Sequence, residues 1–67
     1  MSILDTIFDR IDYLQSQYDD FKMTHEKYEM SVYLSIESVR RQIEMKYGEE
    51  NWAMFKEFLL KYAGLIR

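Results

Sequence analysis

The chain has 67 residues, 48% of them hydrophobic and 16% aromatic, with no cysteine, no proline and a formal net charge of −3. That length limits it to one domain, and a domain this small is marginal unless a disulfide, a metal, oligomerisation or very good helix packing supports it. The absence of cysteine excludes disulfides and thiolate metal sites, and a single histidine, His25, excludes a His-rich one. The hydrophobic content is too high for a disordered chain. With only Gly48 and Gly64 available as turn formers, strands are disfavoured and the expectation is an all-α domain over residues 1–67.

The first segment opens with Ser2 and Asp5, a spacing that resembles a capping box. Leu4, Ile7, Ile11, Leu14, Tyr18 and Phe21 then recur at helical spacing, with Ile3 and Phe8 widening the seam. Asp5, Asp9, Asp12, Ser16 and Asp19 fall on the opposite face, and Tyr13 sits among them. The pattern predicts an amphipathic helix with an acidic back.

Residues 22–27 interrupt that seam, and the apolar positions resume as Tyr28, Val32, Ile36, Val39, Ile43 and Tyr47, displaced by one four-residue step. In a continuous helix such a step is a stutter. The alternative is a turn, with Thr24 as the next N-cap and Glu26 in the first turn. No Gly, Asn or Pro marks a helix end at the junction, so the favoured expectation is a long helix over about 2–47 with a stutter or break near 22–25. Gly48 suits the residue after a helix end, and Lys46 suits the last turn. A final helix over about 49–63 follows, with Trp52, Phe55, Leu59 and Tyr62 as its seam and Phe58 and Leu60 beside it, ending near Gly64.

The long-helix version would measure about 68 Å and the last helix about 22 Å. The chain would then form a helical hairpin whose first half lacks a cover. Ile7, Ile11, Leu14, Tyr18 and Phe21 become the expected interface of a homo-oligomer, most simply a dimeric bundle. A turn near Thr24 gives instead a three-helix bundle that covers its own core. Met30, Leu34 and Met45 lie opposite the middle seam, which favours a second neighbour in either version.

Little in the sequence carries catalytic chemistry. His25 has no nucleophile at a recognisable spacing, and Glu29 four residues on makes an ordinary surface pair. Asp5, Asp9 and Asp12 lack the glycines and curled loop of a calcium site. The expectation is a non-enzymatic chain with no cofactor and no metal. Trp52, Phe55 and Phe58 read first as core. The stretch Met54-Phe55-Lys56-Glu57-Phe58-Leu59, with Gly64-Leu65 after it, resembles the C-terminal part of the small cyanobacterial phycobilisome-degradation adaptors. The resemblance covers those residues alone, and no fold, activity or site is taken from it.

The sequence thus suggests a small protein-interaction module acting as a homo-oligomer, an inhibitor or adaptor of the kind that phages and mobile elements direct at a host protein. Its partner-binding residues would be the acidic face of Asp5, Asp9, Asp12, Tyr13 and Asp19. The alternative is a nucleic-acid- or nucleotide-binding regulator using Arg40, Arg41 and Lys46, with Lys56 and Lys61 brought alongside. The acidic first half disfavours it. The N-terminus lacks the pattern of a signal peptide and no apolar run is long enough for a membrane span, so the cytoplasm is the default location.

Overall fold

A computed structural model describes residues 2–66. Three helices fold back on one another: α1 (Ile3–Asp19), α2 (His25–Tyr47) and, after a single 3-10 turn at Glu49–Asn51, α3 (Trp52–Tyr62). The expectation of one helix from 2 to 47 is corrected. The whole domain extends only 37 Å in its longest direction, so a rod of about 68 Å has no place in it. The turn at Thr24 is the version the chain adopts.

Each boundary has a local cause. Ser2 caps α1 by accepting from the Asp5 amide at 3.2 Å, and Thr24 caps α2 by accepting from the Lys27 amide at 3.2 Å. At the end of α1 the Phe21 amide donates to the Tyr18 carbonyl and the Lys22 amide to the Gln17 carbonyl. That pair of bonds is a Schellman motif, and its left-handed position is filled by Phe21 at φ 60°. The end of α3 closes identically, with Gly64 at φ 77° donating to Lys61 and Leu65 to Leu60. The sequence concealed the first stop because a phenylalanine holds the place where glycine is usual. Gly48, at φ 98° and ψ 143°, ends α2 in a backbone region open almost only to glycine. Asn51 does not cap α3; its side-chain amide donates back to the Tyr47 carbonyl at 2.6 Å.

The two displaced seams meet each other. Ile7, Ile11 and Leu14 of α1 pack against Tyr28, Val32, Ile36, Val39 and Ile43 of α2, and Trp52, Leu59, Leu60 and Ala63 close the core from the third side. Ile11, Val32, Ile36, Ile43 and Leu59 have no solvent exposure. The residues expected to face a second chain are distributed as follows within the single chain. Ile7, Ile11 and Leu14 are buried by their own chain, Tyr18 is partly buried against the same core, and Phe21 stands in solvent at the turn. Phe58 and Tyr62 also depart from expectation: both are exposed, and Leu60 and Ala63 take the core positions instead. The displaced step between the seams is what a turn produces, because each helix starts its apolar phase afresh.

Among the described residues no helix is long and apolar enough to cross a membrane.

Candidate functional site

The helices leave two unlike outer faces. The first is made by α1 and α3. Phe8 lies edge-on to Phe58 and Tyr62, with ring centroids 6.0 and 4.8 Å away. Tyr62 then donates from its hydroxyl to Asp12 Oδ1 at 2.6 Å, and Gln15 Nε2 donates to the Tyr62 carbonyl at 3.1 Å. Because the neutral phenol is the donor to a carboxylate, the Tyr62 pKa is raised above its ordinary value, with desolvation and the charges of Asp12 and Asp9 acting the same way. Met54 and Phe58 project from α3 at 60% and 55% exposure. Asp5 and Asp12 are the i−3 and i+4 neighbours of Phe8, and Asp9 is close enough for its charge to act on the Tyr62 hydroxyl. The result is an exposed apolar patch bordered along one edge by three carboxylates.

The structure sorts the other members of the sequence-derived acidic set. Asp19 lies further along α1, near His25, Tyr28 and Gly64 at the end of the domain where α3 stops. Tyr13 faces away from α3, with the Arg10 guanidinium 5.7 Å from its ring centroid. Sequence reasoning missed Met54, Phe58 and Tyr62 as surface residues. The available signal was that α3 offers more large apolar side chains than one stripe of an eleven-residue helix can bury.

The ion pairs are distributed unevenly. Glu37 and Glu44 pair with Arg40, Glu37 also with Lys56, Glu57 with Lys61, and Glu29 lies 3.6 Å from His25. Among the described residues none of Asp5, Asp9, Asp12 and Asp19 forms an ion pair.

The alternative phosphate site does not assemble. Arg40 lies over the Trp52 ring at 5.4 Å and is held by Glu37 and Glu44. Arg41 is turned about 100° further around the helix, and Lys46, which sits over the Tyr47 ring at 5.5 Å, is turned away from both. Lys56 and Lys61 are spent on glutamates. Three cations aimed in three directions give no common point for a phosphate.

The second outer face lies on the far side of the α1–α2 pair from α3. A shallow groove of about 410 Å³ runs there between Thr6 and Arg10 of α1 and Ser31, Leu34, Ser35 and Ser38 of α2, floored by Ile7 and Val39. The hydroxyls of Thr6, Ser35 and Ser38 fold back onto backbone carbonyls of their own helices, so the walls present little unmet polarity. Leu34 stands out beside this groove at 65% exposure, whereas Met30 lies beside Glu26, Glu29 and Tyr33 and Met45 beside Arg41, Glu44 and Glu49. Among the described residues no group of three or more potential ligands is arranged to hold a metal ion.

No protein-family model, curated protein or solved structure matches the chain.

Proposed function

We propose that the chain is a small non-enzymatic protein-interaction module, an inhibitor or adaptor, that docks a partner protein on the face shared by α1 and α3. The observation that carries this reading is the row of carboxylates, without ion pairs among the described residues, beside exposed Met54, Phe58 and Tyr62. For folding alone Asp5 suits the first turn of α1, but the row as a whole also carries costs. Asp5 and Asp9 are like charges four residues apart, an arrangement that costs an isolated helix about 0.2–0.5 kcal/mol. Asp19 and Asp20 stand at the helix C-terminus, where the dipole favours cations, and no base occupies that last turn. Residues that break local stability rules without a compensating contact are the ones expected at a functional surface. Helix α2 follows the dipole rule at both ends: Glu26 lies in its first turn and Lys46 in its last.

The chemistry of the surface defines its partner. An apolar patch with an acidic border accepts an amphipathic surface whose apolar side chains are flanked by lysine or arginine. A small area of this kind gives steering and specificity from charge, and affinity from Phe58 and Met54.

The experiment is a titration of the 15N-labelled chain with a synthetic amphipathic helix built of leucine and lysine. Amide shifts should concentrate at Asp5, Phe8, Asp9, Asp12, Met54 and Phe58, shrink with added salt, and weaken several-fold in Asp5→Asn/Asp9→Asn. Shifts scattered over the surface, or none, would overturn the reading.

A further inference from the structure

The turn between α1 and α2 presents one residue in a way the fold does not use. Phe21 is 94% exposed, the highest value of any large hydrophobic side chain among the described residues. It is also the only described residue other than glycine with a positive φ. A lone exposed apolar residue is ordinary, and so is an occasional left-handed Asn or Asp; a left-handed phenylalanine is neither. The chain's other Schellman motif shows the usual solution, with Gly64 at φ 77° in the equivalent place. A strained residue that gains nothing from its own fold points to a role outside that fold.

The backbone that carries Phe21 is fixed on both sides. The Asp20 amide donates to the Ser16 carbonyl at 3.0 Å, the Phe21 amide to Tyr18 at 3.0 Å and the Lys22 amide to Gln17 at 2.9 Å. Tyr18 before it and Met23 after it pack on the core, and Thr24 caps α2. The ring therefore projects from a preset turn, and a partner that takes it has little backbone freedom to remove. The charged neighbours in the turn are Asp19 and Asp20 on one side and Lys22 on the other. All three are exposed and, among the described residues, without ion pairs. Lys22 is the only base from Asp12 to Thr24, and Glu26 and Lys27 in the first turn of α2 offset each other in charge.

We infer that Phe21 is an anchor that inserts into a concave apolar pocket of a partner protein, with lysine or arginine on the rim that receives the end of α1. Aromatic side chains seated in such pockets dominate many interfaces, and bases on that rim would pair with Asp19 and Asp20. A second copy is a poor host, because the chain's net charge of −3 repels an acid-flanked knob. An anionic bilayer is a poor host for the same reason. The inference does not rest on the α1–α3 face, since none of the residues that carry that face takes part.

The test is Phe21→p-benzoylphenylalanine, which keeps an aromatic ring and bonds under ultraviolet light to whatever it touches. The same probe at Tyr13, Met45 and Phe58 gives comparison sites, exposed at 54%, 80% and 55% in the native chain. The chains are irradiated in an extract of the cells that make the protein, with circular dichroism confirming the fold. The probe at Phe21 should give one protein adduct that those at Tyr13 and Met45 do not. Peptide mapping should place the bond in an apolar pocket with lysine or arginine at its rim. Adding Asp19→Asn/Asp20→Asn to the probe chain should lower the yield several-fold. Excess native chain should suppress the adduct, and Phe21→Gly, which keeps the turn, should need roughly tenfold more to do so. No adduct beyond those of the comparison sites, an adduct of two 8.3 kDa chains, or a lipid adduct each overturns the inference. So does a bond outside any apolar pocket, a yield indifferent to the two aspartates, or Phe21→Gly competing as well as the native chain. An adduct at Phe58 without one at Phe21 rejects the anchor and leaves the α1–α3 docking reading standing. The reverse result supports the anchor and counts against that face.

Discussion

The Tyr28 hydroxyl donates a 2.7 Å hydrogen bond to the backbone carbonyl of Ala63, thirty-five residues further along the chain. Tyr28 is 2% exposed and belongs to the first turn of α2; Ala63 is the residue that ends α3. The bond ties the last helix to the hairpin at the point where α3 would otherwise be free to fray. Tyr28→Phe keeps the ring and removes the donor, leaving a buried carbonyl without a partner. The expected loss is about 1–2 kcal/mol, read as a lower urea midpoint at unchanged slope. Amide exchange should quicken most at Ala63, Gly64 and Leu65. A variant as stable as the native chain would show that the carbonyl finds water instead.

The same phenol makes stability depend on alkaline pH. Burial raises the Tyr28 pKa above its ordinary value of 10.0, because the phenolate would be desolvated, and the Asp19 and Tyr18 charges add to that; a hydrogen bond from Gln15 acts the other way. Above about pH 10 the unfolded chain releases a proton that the folded chain keeps, so stability falls as pH rises through the folded pKa and is fully present below about pH 10. Urea midpoints measured upward from pH 9 should drop in the native chain, and drop less in Tyr28→Phe. Tyr62 gives a second, local signature. Asp12→Ala removes the acceptor of its hydroxyl, and its phenolate absorbance should then appear at lower pH than in the native chain.

Phe21 is strained and unrewarded. It holds the left-handed position of the α1 Schellman motif at φ 60°, and its side chain is 94% exposed. A non-glycine residue in that conformation pays roughly 1–2 kcal/mol, and no packing of Phe21 offsets it. Phe21→Gly is expected to stabilise the monomer by about 1 kcal/mol, less whatever the added freedom of the unfolded chain takes back. For a domain of this size that corresponds to a rise of about 4–8 °C in Tm. A fall in Tm would mean that Phe21 contributes a contact the fold does not display.

What the sequence made legible follows the strength of local signals. The apolar seams, Ser2, Thr24, Gly48 and Gly64 are side chains or glycines whose local chemistry dictates their role, and all act as that chemistry requires. The turn at residues 20–24 was illegible as a stop because its deciding residue is a phenylalanine in a glycine's conformation, which only the tertiary pairing of two seams stabilises. The outward side of α3 was illegible for a different reason. Phe58 and Leu60 are equally apolar, and which of them is buried depends on how α3 rolls against Phe8 and Tyr47. The acidic row was visible as residues, but its lack of cationic partners appears only once the glutamates of α2 and α3 are seen to use the bases nearby.

The register of α2 is open to a direct comparison of two residues. Ile36 has no exposure and lies at the centre of the core, while Leu34, two positions earlier, is 65% exposed. Truncating a buried isoleucine to alanine costs about 2–5 kcal/mol, the lost transfer energy plus the cavity. At about 0.05–0.15 kcal/mol per residue, a chain of this length has a total stability of only a few kcal/mol to about 10. Ile36→Ala should therefore bring the domain close to unfolding, with a large loss of helical circular dichroism on mild heating. Leu34→Ala should stay within about 0.5 kcal/mol of the native chain. Equal effects of the two substitutions would mean that α2 is rotated about its axis relative to this arrangement. The serine-walled groove would then point elsewhere, since it depends on Leu34 facing outward when Ile36 faces in.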